Sequence, residues 1–212
     1  MKIVVSYISS LYDYKKTIEL IDKSKADAIH ADLMDGKYVK NKNFDVASLG
    51  DYFTNISKPI EFHLMVIDPS KYINEIYKLN PKAIYIHPKT TDDALGLLED
   101  IRNHLVEPGI VINPDEEISL YKEYFPYIRR VLLMSVTPGE GGQEFLISTT
   151  KRLDDLMKYK REYGFNIYID GGINDLTISR VLKADGVVSG SFVCKSPAYD
   201  CQIDKLKNNC HN

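Results

Sequence analysis

The chain has 212 residues, of which 44% are hydrophobic and 27% are charged, and its formal net charge is −3. These values are typical of a soluble globular protein, and we expect a single domain over residues 1–212, located in the cytoplasm. The small negative charge argues against a nucleic-acid partner, and no apolar run is long enough for a membrane span. Three cysteines, Cys194, Cys201 and Cys210, lack the spacing of a zinc ribbon or a disulfide framework, which favours a reducing compartment.

Eight short runs rich in Val, Ile and Tyr predict β-strands. They lie at 3–8, 27–34, 60–66, 83–87, 109–113, 130–136, 166–170 and 186–191. Four stretches with the apolar spacing of helices lie between them, at 13–24, 70–79, 93–106 and 150–163. Helix starts are predicted after three capping sequences, Asp68-Pro69, Asn113-Pro114-Asp115 and Asn174-Asp175.

The strands predict an α/β fold with a parallel sheet. The run from Arg130 to Met134 is apolar after its first residue, which indicates a strand buried on both faces. Eight strand–helix units in a chain of this length fit a closed (β/α)8 barrel, the TIM barrel, near its lower size limit. An open doubly wound sheet is the alternative, although no GxGxxG follows the first strand and no Walker A sequence is present. In a barrel, the functional residues lie at the C-terminal ends of the strands.

Polar residues at three strand ends predict a metal site. His30 and Asp32 end the second strand and share one face, because residues i and i+2 point the same way. A buried His and Asp are stable as a hydrogen-bonded pair or as metal ligands. His63 ends the third strand and Asp170 the seventh. Two imidazoles and two carboxylates suit Zn²⁺, Fe²⁺, Mn²⁺ or Co²⁺ better than Ca²⁺ or Mg²⁺.

Small residues near the later strand ends predict an anion site and a flap. Strand seven is followed by Gly171-Gly172, and strand eight ends with Gly190-Ser191. This fold commonly binds phosphate after these two strands. The loop 137–143 is glycine-rich, which is typical of simple turns or of a flap that closes on substrate. Ser6 ends the first strand and is either solvated or a donor to substrate. Three methionines form an apolar floor of the site or ordinary core: Met34, Met65 and Met134.

Five stretches of the chain, in order, resemble the ribulose-phosphate 3-epimerase family, metal-dependent barrel enzymes of the pentose phosphate pathway. They are residues 30–36, 62–66, 134–143, 170–172 and 188–191. The resemblance extends from Ser6 to about Pro197. It implies one divalent metal ion held by His30, Asp32, His63 and Asp170, with Asp32 and Asp170 as the acid/base pair. It also implies a small phosphorylated ketose in contact with Ser6, Met34, His63, Met65, Met134, Gly139, Gly141, Gly142, Gly171, Gly172, Gly190 and Ser191.

The resemblance predicts 3-epimerisation, most directly of D-ribulose 5-phosphate to D-xylulose 5-phosphate. Three positions depart from the family pattern: Lys37, Lys89 and Glu140. They lie toward the sugar end of the site, so D-allulose 6-phosphate is an alternative substrate, and a non-catalytic sugar-phosphate binder is a further alternative. A decarboxylase of a related barrel type would need an Asp-x-Lys-x-x-Asp sequence, which no strand end contains. Barrels of this kind often associate, so a homo-oligomer is an open alternative to a monomer.

Overall fold

Eight parallel strands close into a barrel in chain order in the computed structural model, which describes residues 1–46 and 49–209. The strands β1 to β8 are Lys2–Ser6, Ala28–Met34, Ile60–Met65, Ala83–Ile86, Glu107–Ile112, Arg130–Met134, Asn166–Asp170 and Gly186–Ser189. Each strand pairs with the next, and β8 pairs with β1. The predicted (β/α)8 barrel is therefore confirmed, and the open sheet is excluded.

Helical segments connect the strands on the outside of the barrel. The α-helices α1 to α7 are Tyr14–Lys23, Leu49–Tyr52, Ser70–Tyr77, Ala94–Asn103, Ser148–Tyr163, Ser191–Cys194 and Tyr199–Asn209. The 3-10 helices are Pro88–Thr90, Ile118–Tyr127 and Ile178–Val181. Among these described helices, none combines the length and the apolar character that crossing a bilayer requires. Cys210 and His211 lie outside the described residues.

Several predicted boundaries differ from the structure for local reasons. The segment after β5 is a 3-10 helix, and it contains Pro126, which has no backbone N–H to donate. The eighth strand ends at Ser189, since Ser191 already begins α6. Asp68 does not cap α3, because its side chain accepts from the hydroxyl of Ser70 instead of a backbone N–H. Asn174 does act as a cap, since its Oδ1 accepts from two backbone N–H groups of the following turn.

Alternation along the strands separates two apolar cores. Phe62 and Leu64 of β3 point outward and pack in the layer between the barrel and the helices. Inward-pointing side chains such as Tyr85, Leu132 and Val188 fill the barrel itself. Glu61 and His63 of β3 also point inward, because they are two residues apart and alternate with Phe62 and Leu64. Glu61 lies near the start of the strand and His63 near its end. The barrel interior is therefore apolar in the middle and polar toward both ends.

Candidate metal and catalytic centre

Four polar side chains meet inside the C-terminal end of the barrel: His30 and Asp32 from β2, His63 from β3 and Asp170 from β7. One nitrogen or oxygen atom from each lies within 4.8 Å of the others. His63 Nδ1 is 2.9 Å from Asp32 Oδ1 and 3.8 Å from Asp170 Oδ2. His30 Nε2 is 3.5 Å and 3.7 Å from the same two oxygens. The structure thus brings together the four residues that the sequence predicts as metal ligands.

The cluster holds two buried carboxyl groups without a lysine or arginine beside them. Among the described residues, the only ion pairs of Asp32 and Asp170 are with His30 and His63. Both ring nitrogens of His30 are buried without a hydrogen-bond partner in the described part of the chain. An unsatisfied buried polar group costs about 1–3 kcal/mol, so the cluster by itself is unfavourable. Two nitrogen and two carboxylate donors fit a divalent transition metal or zinc, which would give His30 Nε2 a partner and offset the charge of the carboxylates.

Burial opposes the charged form of each group in this cluster, and neighbouring charges then separate their pKa values. Burial raises the pKa of Asp170 above its ordinary value, and the charge of Asp32 raises it further. Burial also acts on Asp32, but His30 and His63 outweigh it and hold the pKa of Asp32 well below the ordinary value. Burial lowers the pKa of His30, yet Asp32 and Asp170 dominate and raise it to about 9. The two carboxyl groups therefore favour opposite protonation states, Asp32 ionised and Asp170 protonated.

A cleft above the cluster encloses about 540 Å³ of space, part of it open to solvent. Ser6 lies at its wall and is buried, with its hydroxyl donating to Asp32 Oδ2 at 2.6 Å. Of the sequence-predicted site residues, the cleft is lined by Ser6, Asp32, His63, Met65, Met134, Gly139, Gly141, Gly142, Asp170, Gly171, Gly172, Gly190 and Ser191. His30 and Met34 are not among the lining residues, and both are buried.

The glycines after β7 leave backbone exposed where a side chain would block the cleft. Gly172 has φ +61°, in the left-handed region that favours glycine. A Cβ on Gly172 would lie 2.5 Å from the backbone nitrogen of Phe145, so only glycine fits between the two loops. Together with Gly190 and Ser191 across the cleft, this wall offers small residues whose backbone an anion can approach.

The loop 137–143, here called the flap, lies along the cleft, is braced internally and is joined to the loop after β2. Gln143 Nε2 donates to the carbonyls of Thr137 and Glu140, at 2.7 Å and 2.8 Å, and braces the flap internally. Asn41 Nδ2 donates to the carbonyl of Gly139 at 2.7 Å and joins the flap to the loop after β2. The side chain of Glu140 is exposed and lies at the edge of the cleft.

Three residues that the sequence prediction did not include in the site extend it outward from His63. His63 Nε2 is 2.9 Å from His87 Nε2, and His87 Nδ1 is 3.0 Å from the hydroxyl of Tyr38. Asn113 Nδ2 donates to the same hydroxyl at 3.0 Å. Burial and then the neighbouring His63 lower the pKa of His87 well below its ordinary value, so this imidazole is neutral. The signal for His87 was present in the sequence, since it follows the inward-pointing Tyr85 by two residues.

Lys89, one of the positions that depart from the family pattern, has a defined partner. Its ammonium forms an ion pair with Glu116 and lies 5.7 Å from the centre of the Tyr38 ring. Glu116 also accepts from the backbone N–H of Asn113 at 2.8 Å. Lys89 therefore helps to anchor the loops that carry Tyr38 and Asn113, rather than pointing unpaired into the cleft.

Sequence comparison identifies one family, and comparison with solved structures shows the fold. The chain matches the model of the ribulose-phosphate 3-epimerase family over residues 2–194. It is 33% identical to the ribulose-phosphate 3-epimerase of Helicobacter pylori strain J99, over 98% of this chain and 97% of that protein. It is 31% identical to the Escherichia coli K12 protein of the same name, over 86% and 84%. A solved 3-hexulose-6-phosphate synthase has a TM-score of 0.69 and 16% identity over 99% of this chain, a likeness that shows the fold alone.

Proposed function

The chain belongs to the ribulose-phosphate 3-epimerase family, and on that premise we propose that it interconverts D-ribulose 5-phosphate and D-xylulose 5-phosphate. It is an isomerase, and the family supports epimerisation of a sugar phosphate as its reaction. The observation that carries the finer proposal is the pair Asp32 and Asp170, whose carboxyl groups reach one cleft from β2 and β7. Those strands are separated by β8 and β1 around the barrel, so the two groups approach a bound molecule from different sides.

Inversion at a carbon beside a ketone needs one group to remove a proton and another to return one on the opposite face. Asp32, held ionised by His30 and His63, is the base for one direction. Asp170, whose pKa is raised by burial and by Asp32, is the acid. Abstraction of the C3 proton gives an enediolate, and delivery of a proton to the other face gives the epimer. The two residues exchange roles in the reverse reaction.

The residues that would hold a divalent metal are His30, Asp32, His63 and Asp170. The chemistry that such a cation supplies is stabilisation of the negative charge that develops on the oxygens of C2 and C3. In the metal-free protein, the imidazoles also hold Asp32 in its ionised form. Ser6 contributes by donating to Asp32 Oδ2, which fixes the orientation of this carboxylate toward the cleft.

The phosphate end of the substrate is assigned to the wall formed by Gly171, Gly172, Gly190 and Ser191, with Gly142 of the flap opposite. Binding there supplies energy remote from C3, which orients the sugar between the two carboxyl groups. Met65 and Met134 give the floor an apolar surface, which strengthens the electrostatic interactions above it. The flap excludes water from the charged intermediate.

Turnover in D₂O tests this proposal. With purified protein and D-ribulose 5-phosphate, we expect D-xylulose 5-phosphate that carries one deuterium at C3, because the returned proton comes from a solvent-exchanged carboxyl group. Metal analysis of the active protein should find about one divalent ion per chain. Product without deuterium would contradict the two-carboxylate mechanism. A larger kcat/KM for D-allulose 6-phosphate than for D-ribulose 5-phosphate would contradict the proposed substrate and leave the mechanism standing.

A further inference from the structure

A chain of hydrogen bonds joins the buried His63 to a second cavity on the outer side of the flap. The chain runs from His63 Nε2 to His87 Nε2, and from His87 Nδ1 to the hydroxyl of Tyr38, with distances of 2.9 Å and 3.0 Å. Tyr38 lines the second cavity together with Lys89, Asn113 and the flap. None of the proton transfers in the proposed reaction uses His87 or Tyr38, so their arrangement needs a separate explanation.

The positions of the atoms allow only one direction of hydrogen bonding when a cation is present. His63 turns Nδ1 toward Asp32 and Asp170, so this nitrogen is the one that would bind a metal and must carry no proton. A neutral imidazole then carries its proton on Nε2, and that proton must be donated. The acceptor is His87 Nε2, so His87 must carry its own proton on Nδ1 and donate it to Tyr38.

The surroundings of Tyr38 make its oxygen a suitable end for this chain. Glu116 lies beside the amide of Asn113, with its Oε1 3.3 Å from Asn113 Nδ2, so the amide turns its N–H groups toward the carboxylate and Tyr38. The phenol oxygen has two lone pairs, which accept from Asn113 and from His87, and the ammonium of Lys89 also interacts with this hydroxyl. Its own O–H is then free to donate into the second cavity.

Without a cation, the donor and the acceptor exchange places in each of these hydrogen bonds. The ionised Asp32 accepts from His63 Nδ1 at 2.9 Å, so His63 Nε2 carries no proton and accepts from His87. His87 in turn accepts at Nδ1 from the hydroxyl of Tyr38. The number of protons carried by His63, His87 and Tyr38 is the same in the two states. The Nδ1 proton of His63 leaves, the protons between the rings and between Tyr38 and His87 each move one atom inward, and solvent returns one proton to the phenol oxygen.

We propose that Tyr38 and His87 are positioning residues that select the metal-binding tautomer of His63, and that the hydroxyl of Tyr38 lets the chain reverse when metal binds. This role rests on the proposed metal-dependent function. Partners of metal-bound histidines typically change metal affinity by about 10–100-fold when they are removed. Here the partner of His63 is a second imidazole, that of His87. His87 can accept from His63 Nε2–H only if its own Nδ1–H donates a hydrogen bond to the oxygen of Tyr38.

The tautomers are measured by two-bond ¹H–¹⁵N correlation NMR on histidine-labelled full-length protein, metal-free and loaded with diamagnetic Zn²⁺. We expect His63 to change from the Nδ1–H form to the Nε2–H form on loading, and His87 from Nε2–H to Nδ1–H. The Zn²⁺ dissociation constant is measured alongside by competition with a chelator. We expect it to rise about 10-fold in Tyr38→Phe and toward about 100-fold in His87→Leu. His87→Gln should bind more tightly than His87→Leu, because its amide oxygen accepts from His63.

Tyr77→Phe is the matched control, because the half-buried Tyr77 also loses one hydrogen bond, from its hydroxyl to Asp100 Oδ2 at 2.7 Å. It should leave the Zn²⁺ affinity unchanged. Loss of the hydrogen bonds from Tyr38 to His87 and Asn113 lowers the melting temperature of the metal-free protein under either role, so the Zn²⁺ affinity and the two tautomers, not stability, separate positioning from a purely structural role. Unchanged affinity in Tyr38→Phe, or a His87 tautomer that is the same in both states, would overturn the inference alone. Wild-type protein that binds no Zn²⁺ would instead overturn the proposed metal dependence and the inference with it.

Discussion

Charged groups are buried at both ends of this barrel, and the two ends differ in how the charges are balanced. At the N-terminal end, the guanidinium of Arg130 contacts Glu61 and Glu107, and the ammonium of Lys82 lies 2.6 Å from Glu107. Two carboxylates there face two cations, and the hydroxyl of Tyr85 donates to Glu61 at 3.2 Å. At the C-terminal end, Asp32 and Asp170 face only imidazoles, as described above.

This difference in charge balance distinguishes the N-terminal cluster, which stabilises the fold, from the C-terminal cluster, for which we propose a function. Removing one member of a balanced buried cluster leaves an uncompensated charge, so the N-terminal cluster resists change and contributes to a specific fold. The C-terminal cluster has no lysine or arginine and is balanced without a ligand only by protons on His30 and Asp170, whose pKa values are raised. Perturbed pKa values in a cleft are typical of functional sites. Protein residues complete the first cluster, whereas a cation and a substrate would complete the second. Four predictions test this contrast.

Asp32→Asn and Asp170→Asn should have the largest effect on activity. Each substitution keeps the shape of the side chain but removes one proton-transferring group, so kcat should fall about 10²–10⁴-fold. Metal-free Asp170→Asn should melt no lower than the metal-free wild type, because burial and the charge of Asp32 already disfavour the ionised form of this carboxyl group. Steady-state kinetics and thermal melts measure both quantities. A variant that keeps more than about a tenth of the wild-type kcat would refute the two-carboxylate mechanism.

Arg130→Met should show the reverse profile, a loss of stability with little loss of turnover. It leaves Glu61 buried without its cation, which typically costs about 3–5 kcal/mol of unfolding free energy. Urea denaturation measures this loss, and kcat of the folded fraction should change less than tenfold. Arg102→Met is the control, because it breaks only the exposed pair with Glu99 and should cost about 1 kcal/mol or less. Equal costs for the two variants would remove the contrast between the two ends.

Metal should stabilise the protein more at about pH 8.5 than at about pH 6. The folded-state pKa of His30 is raised to about 9, so its protonated form contributes stability that is full below about 6.5 and is lost as the pH rises through 9. The pKa of Asp170 is also raised, which adds a loss in the same direction. A cation replaces these protons, so the difference in melting temperature between metal-loaded and chelated protein should grow with pH. A difference that shrinks as the pH rises would contradict the assignment of these ligands.

Asn41→Ala should have the smallest effect, because it removes one hydrogen bond that holds the flap. The bond to the carbonyl of Gly139 is worth about 0.5–1.5 kcal/mol, so KM should rise between about twofold and tenfold with kcat nearly unchanged. Asn209→Ala removes a similar bond, from Nδ2 to the carbonyl of Asp175, far from the flap in the chain, and should leave KM unchanged. A fall in kcat larger than the rise in KM would mean that the flap acts in the chemical step itself.

The positions of the strands, and hence the barrel, were predictable because each strand is a short run rich in Val, Ile and Tyr, and four stretches with helical spacing lie between these runs. The convergence of His30, Asp32, His63 and Asp170 followed from the alternation of side chains along each strand once a closed barrel was assumed. Strand alternation also contained the signal for His87, which ends the predicted strand 83–87 two residues after Tyr85, but the sequence analysis assigned it no role in the site.

Features that depend on loop conformation were not predictable. Tyr38 reaches His87 only because the loop after β2 folds over the barrel mouth, where the side chain of Asp35 accepts from the backbone N–H groups of Lys37 and Tyr38. The pairing of Lys89 with Glu116 joins two loops 27 residues apart. The absence of a cap at Asp68 was also unforeseen, because its positive φ of 55° turns the side chain to Ser70. Such contacts depend on tertiary geometry rather than on any local period.

Because Glu61 and His63 lie two residues apart on β3, a single hydrogen-bonding register serves both ends of the barrel. A shift of this strand by one residue would exchange its faces, placing Phe62 and Leu64 in the interior and both polar side chains against the helices. A chain with this misalignment would lose both the ion pair of Glu61 with Arg130 and the candidate metal and catalytic centre. The correct alignment of β3 is therefore required for the stability of the barrel and for the proposed activity alike.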